Sequence, residues 1–193
     1  MGNNTAVTEK FTSGQLALMP DDGKRYEIID GELYVSRQPS YEHQYTCSLL
    51  IHFLVQWNLK SEVGAVFTAP GLIFGEYDDV APDVVWISRD RLSDAVDEAG
   101  HLTVAPELVI EVLSPGKANQ ERDREVKLNL YSRRGVVEYW IVGWMQRFVE
   151  VYRREDAALR LVATLHDTDT LTSPLLPGFS CPVSRLFFQE SLT

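Results

Sequence analysis

The 193-residue chain is 45% hydrophobic and carries 18 lysines and arginines against 28 aspartates and glutamates, a formal net charge of −10. That is enough apolar material for one globular domain with a sizeable core, and no apolar run is long enough to span a bilayer. The acidic balance excludes a chain that grips duplex nucleic acid over its whole surface, because such proteins show a basic footprint.

The stretch that opens with Met1 lacks a secretory apolar region. Residues 1–12 are read as flexible, ahead of a core at 24–188. Two widely separated cysteines, Cys47 and Cys181, make neither a zinc cluster nor a disulfide framework, which fits a reducing, cytoplasmic setting. The first element is a hairpin, because 24–29 and 32–36 alternate around Asp30-Gly31. Leu49, Leu50, Phe53, Leu54 and Trp57 then recur at helical spacing and predict a helix over 41–59 that covers one face of a sheet. Residues 64–74 read as a strand bent at Pro70-Gly71.

An apolar strand follows at 81–87, a short helix at 89–96 and a second apolar strand at 107–113. Ser114-Pro115-Gly116 ends that strand, and Asn119 is placed to cap a helix running to Arg134, stopped by Gly135. Residues 136–143 return as a buried strand, so the intervening helix is a crossover and the two strands are parallel. Strands at 148–153 and 159–165 form an edge meander. Turn residues at 175–179 lead to a last apolar contact at 186–188.

Two carboxylates stand at the edges of apolar strands, Asp83 in Pro82-Asp83-Val84-Val85 and Glu111 in Val109-Ile110-Glu111-Val112. Burial favours the neutral acid unless cations or donors hold it charged. On neighbouring strands the pair could supply oxygen ligands to a hard divalent ion. The competing reading is a turn-forming aspartate and a solvent-facing glutamate. Asp123, Lys127 and Tyr131 lie at i, i+4 and i+8 on one helical face. There Lys127 either reaches the carboxylates or makes an exposed pair with Asp123. Two further candidates are Glu32, opening the second hairpin strand, and His43, near the start of the long helix.

Taken in order, Tyr26-Glu27-Ile28-Ile29-Asp30-Gly31-Glu32, Pro39-Ser40 with His43, Pro82-Asp83-Val84-Val85, Glu107 to Pro115, and Asp123 through Lys127 to Tyr131 resemble a bacterial family. That family, first defined as a domain of unknown function, holds restriction-endonuclease-like domains of the PD-(D/E)XK nuclease superfamily. The resemblance runs over most of the chain and includes Val137 to Val142 and Leu176-Pro177-Gly178-Phe179. It implies an α/β restriction-endonuclease-like fold: a mixed β-sheet flanked by helices, with an N-terminal hairpin and a C-terminal meander. It further implies a metal-dependent endonuclease acting on nucleic acid, most readily DNA, with Mg2+ or Mn2+ at Asp83, Glu111 and Glu32. Lys127 then joins those three as the catalytic lysine, and His43, Arg124 and Tyr131 are candidate substrate contacts.

One position departs from the superfamily pattern. The lysine expected two residues after Glu111 is Leu113, and Lys127 stands in its place on the following helix. An inactive nucleic-acid- or protein-binding module on the same fold is the alternative. A homodimer is expected, because two sites related by a two-fold axis cut both strands of a duplex most simply. Edge strands around 148–153 and the apolar tail are its expected contact surfaces. From the sequence, Lys127→Met is expected to leave folding and metal binding nearly intact and to cost roughly 2.7–4 kcal/mol of transition-state stabilisation. Turnover measured on the folded variant tests this.

Overall fold

A computed structural model gives the fold of residues 9–188. A one-turn helix α1 (Ser13–Leu16), capped by Thr12, precedes the hairpin of β1 (Arg25–Ile29) and β2 (Glu32–Ser36). Asp30 and Gly31 take φ of 56° and 81°, the two left-handed positions that a type I′ turn requires. The turn fixes the register, so Glu27 lies opposite Tyr34 and Ile29 opposite Glu32. Of the segment read as flexible, residues 1–8 lie outside the described range. Phe11 donates its N–H to the Gly31 carbonyl at 2.8 Å.

The long helix α2 (Tyr41–Ser61) starts where the Ser40 hydroxyl accepts the His43 N–H and ends at Glu62 in the left-handed conformation. The chain continues through β3 (Gly64–Thr68), β4 (Leu72–Gly75), β5 (Asp78–Val80), β6 (Val84–Ser88), α3 (Arg89–Leu92) and β7 (Leu108–Val112). The feature at Pro70-Gly71 is more than a bend, since β3 pairs with β6 while β4 pairs with β5 in another sheet. Ala69 at a φ of 45° turns the chain there. Gly71 lies so close to the His101 ring that a Cβ would come within 2.5 Å of it.

The crossover helix has three parts: α4 (Lys117–Glu121), a π-helical stretch at Arg122–Lys127, and α5 (Leu128–Arg134). Gly116 precedes it without a side-chain cap, and Asn119, expected as the cap, instead donates to the Pro115 carbonyl. After Gly135 come β8 (Glu138–Gly143), β9 (Phe148–Glu155), β10 (Ala158–His166), β11 (Thr170–Leu171) and β12 (Cys181–Pro182), then a 3-10 turn at Val183–Leu186.

Six strands form the main sheet in the order β10-β9-β8-β7-β6-β3, with β7 and β8 parallel and the other neighbours antiparallel. The expected contact strand at 148–153 is therefore internal, because β10 covers it; a bulge interrupts that pairing between Leu161 and Ala163. A four-stranded antiparallel sheet, β2-β1-β5-β4, lies beside it. Alternation along β6, β7 and β8 feeds two cores. Val84, Trp86, Leu108, Ile110 and Trp140 join Leu50 and Leu54 of α2 and the tail residues Phe179 and Leu186. Val85, Ile87, Val109, Tyr139 and Ile141 join Leu130 and Tyr131 of α5, with Ile29 and Val80 of the small sheet. Among the described residues, no helix is long and apolar enough to cross a membrane.

The cores assign different weights to two leucines of α2. Leu54 is fully buried and Leu59 is 72% exposed. Leu54→Ala is expected to cost about 2–5 kcal/mol in urea unfolding and Leu59→Ala no more than about 0.5 kcal/mol. Equal losses would mean that α2 does not pack on this face.

Candidate active site

Asp83 and Glu111 meet because of strand register. β6 pairs with β7 antiparallel with Val84 opposite Ile110, so one further step sets Asp83 opposite Glu111. The Asp83 backbone carbonyl accepts the Ala69 N–H at 3.0 Å. Its carboxylate is fully engaged: Oδ2 accepts the Val112 N–H at 2.9 Å and lies 3.2 Å from His43 Nε2, while Oδ1 accepts from Arg25 at 3.0 Å.

Glu111 faces the crossover helix. Its Oε1 accepts hydrogen bonds from the Lys127 ammonium at 3.0 Å and the Tyr131 hydroxyl at 2.8 Å. No described residue donates to its Oε2. Lys127, with 1% of its side chain exposed, also lies 2.9 Å from Glu27 of β1. Glu27 in turn accepts the Ala81 N–H at 3.0 Å. Asp123, one turn before Lys127, is buried too. The π-helical stretch slows the angular advance per residue, which keeps Asp123 and Lys127 nearly in line on the inward face. Glu27 Oε2 and Asp123 Oδ1 accept no hydrogen bond among the described residues. They face only Arg122, at 3.8 Å and 3.5 Å. Glu138, another buried carboxylate, differs: Trp140, Ser173 and Arg153 satisfy it, as a structural acid requires.

The charges divide unequally. Burial opposes ionisation of Lys127, but Glu111, Glu27 and Asp123 hold its ammonium above the ordinary lysine range. Burial likewise works against the Glu27 carboxylate, yet Lys127 and Arg122 hold it below its usual value. At Asp83 burial is overcome by the His43 hydrogen bond and charge, then by Arg25 and the Val112 N–H, and the group lies well below the carboxylate range. Two acids of the cluster are left raised by burial, Asp123 and Glu111. Burial pushes Glu111 up to about 8, against the pull of Lys127 and with added repulsion from Asp83, Asp123 and Glu27.

The structure thus brings together Asp83, Glu111, Lys127, Tyr131 and His43, with His43 buried behind Asp83 and not turned to solvent. Two expected members lie elsewhere. Glu32 is exposed at the mouth of the hairpin, where the Tyr34 hydroxyl donates to it at 2.9 Å, and Glu27 contacts Lys127 instead. Glu27, Ile29 and Glu32 share one face of the hairpin, but Glu32 stands at the turn end, farther along the strand, and Lys127 meets Glu27 instead. Arg124 pairs with Glu150 at 2.9 Å and lies over the Phe148 ring. The sequence reading missed Glu27, Arg25 and Arg122. Glu27 carried the signal used for Glu111, a carboxylate beside an apolar pair, Ile28-Ile29. His43, Cys47 and Asp83 also bring a nitrogen, a sulfur and an oxygen within 4.8 Å of one another. Burial pushes the Cys47 thiol far up, so this trio is a poor home for a hard cation.

The family model Uma2, described as "Putative restriction endonuclease", matches residues 14–184. The chain belongs to this family. No curated protein matches it. Among solved structures, "a putative nuclease belonging to DUF820" from Anabaena variabilis ATCC 29413 aligns with a TM-score of 0.71 at 17% identity, over 92% of this chain and 97% of that one. This shared fold is the mixed sheet with flanking helices expected of restriction-endonuclease-like proteins. The type IIG restriction endonuclease BpuSI aligns over 78% of this chain and 17% of its own, at 14% identity and a TM-score of 0.44.

The enclosure of Lys127 revises the expectation for its removal. Lys127→Met leaves Glu27 and Glu111 buried without their shared cation, which is expected to cost about 3–5 kcal/mol of stability. Denaturant unfolding of the variant checks this, and an unchanged midpoint would show that the ammonium is not a buried counter-ion.

Proposed function

We propose that this Uma2-family chain is a metal-dependent endonuclease that hydrolyses phosphodiester bonds in DNA, acting from a single restriction-endonuclease-like domain as a cytoplasmic homodimer. The observation that carries the reading is that Asp83, one residue ahead of β6, and Glu111 of β7 fall at the same end of this strand pair, with Lys127 braced against Glu111 from the crossover helix. Asp83, Glu111 and the Val112 carbonyl would hold a divalent ion of the Mg2+ or Mn2+ class. The donor set suits it, being all hard oxygens with Glu111 Oε2 free of hydrogen bonds from described residues. Such an ion supplies positive charge to the phosphoryl oxygens and lowers the pKa of a water.

The protein's own groups do the positioning. Tyr131 and Lys127 both hold Glu111 Oε1, which fixes the carboxyl rotamer and turns Oε2 away from the helix. Val112 N–H and His43 do the same for Asp83. Glu27 holds Lys127, whose charge balances that of the phosphate without reorganising during the reaction. The inactive-module reading draws on one observation: Leu113, at the place of the superfamily lysine, is packed in the core.

Divalent-dependent nicking of supercoiled DNA, absent in Asp83→Asn, is the test that separates the two readings. Metal affinity has its own pH signature. With Glu111 protonated below about 8, binding must release its proton. Mn2+ affinity is therefore expected to rise by about tenfold per pH unit between pH 6 and 8 and to level off above, a slope that Glu111→Gln removes. An affinity flat over that range in the wild-type protein would sink the assignment of Glu111 as a ligand.

A further inference from the structure

The partners of Asp83 are not equally free to leave. Val112 donates from the β7 backbone, and His43 lies in the first turn of α2 with 4% of its side chain exposed. Arg25 is the exception. It is the first residue of β1, and 29% of its side chain is exposed. Its attachment is also incomplete. One guanidinium nitrogen serves both Asp83 Oδ1 at 3.0 Å and the Ala81 carbonyl at 3.2 Å, and the other two nitrogens make no hydrogen bond among the described residues. An arginine that binds a carboxylate as a structural clamp presents two parallel N–H bonds; this one keeps most of its fork unspent.

Alternation along β1 places Arg25 and Glu27 on one face, so the guanidinium stands at the rim of the cluster that encloses Lys127. Any cation that binds Asp83 through Oδ1 must compete with it. A guanidinium freed from that oxygen remains tethered within a side-chain length of the carboxylates, with a planar fork that matches two oxygens of a phosphodiester.

We propose that Arg25 is the exchangeable counter-ion of Asp83, displaced from Oδ1 by a divalent cation and turned onto the phosphate of the substrate. The proposal rests on the metal-dependent nuclease reading. Arg25 thereby makes metal binding and substrate binding support each other: the ion releases the group that receives the phosphate.

Mn2+ titration of the nucleic-acid-free protein, followed by electron paramagnetic resonance, tests the first half. Arg25→Gln is expected to bind Mn2+ about tenfold more tightly than wild type, because the competing ion pair is gone. Asp83→Asn is expected to lose that binding. Equal or weaker Mn2+ affinity in Arg25→Gln, with Asp83→Asn still defective, overturns the exchange while leaving the metal reading intact. Wild type and Asp83→Asn binding alike overturns both.

The second half is read from the salt dependence of binding to a short DNA duplex in Ca2+. Loss of one phosphate contact makes the slope of log affinity against log salt shallower by about 0.9 in Arg25→Gln, and Arg25→Lys is expected to retain it. An unchanged slope in Arg25→Gln overturns the phosphate contact. A measurement on the unaltered protein guards against a folding defect in the variant. The Arg25 Nε–H resonance is expected to shift when Mg2+ is added, and a resonance that stays in place overturns the exchange.

Discussion

The Lys127 ammonium, enclosed between Glu27 and Glu111, is the contact on which the relation of the layers depends. A buried charge is tolerated only when partners replace its hydration, and here each partner comes from a different layer. Glu27 belongs to the small sheet, Glu111 to the main sheet and Lys127 to the crossover helix. The apolar cores are non-directional and would accept small slides of one layer over another. Two oxygens at 2.9 Å and 3.0 Å from one nitrogen would not. The ion pair therefore converts loose packing into a defined geometry at the end of β7.

The position of that lysine follows from the core. Leu113, two residues beyond Glu111, is fully buried in the apolar cluster that also holds Tyr131 and Tyr139, where an ammonium would be costly without partners. The helix that must cross from β7 to β8 passes over the same carboxylate and can deliver the charge from outside the strand. The π-helical stretch keeps Asp123 and Lys127 on the inward face as it does so, and the Tyr139 hydroxyl donates to the Asp123 carbonyl at 3.0 Å within that stretch. An insertion into the helical ladder is strained in isolation, so the packing around it has to hold it.

Much of this was legible in the residues. Val84 to Ile87 and Leu108 to Val112 are apolar runs that only a two-sided core can bury, and the helix between β7 and β8 forces their parallel pairing. Asp30-Gly31 specified both turn and register. Glu32 lies apart from the cluster for an equally physical reason. Periodicity tells which residues share a face of a strand but not where along that face a distant helix crosses, and the choice between Glu27 and Glu32 turned on that. The sheet change after Ala69 was hidden for a similar cause: Pro70-Gly71 marks a break in pairing without saying where pairing resumes. Arg25 and Arg122 are single polar residues whose roles come from partners more than fifty and about ninety-five positions away in Asp83 and Glu27.

The bulge in β10 bears on a different matter, the solubility of the folded chain. β10 is an outer strand of the main sheet, and it exposes Leu161 and Val162. An edge of this kind invites intermolecular β-addition and, eventually, fibrillar growth. The register shift between Leu161 and Ala163 falls at that apolar spot, twisting the strand and breaking the regular spacing of donors and acceptors that an incoming strand would copy. Straightening β10 by deleting one residue there would restore an uninterrupted template, and with it a propensity to aggregate that the native irregularity suppresses.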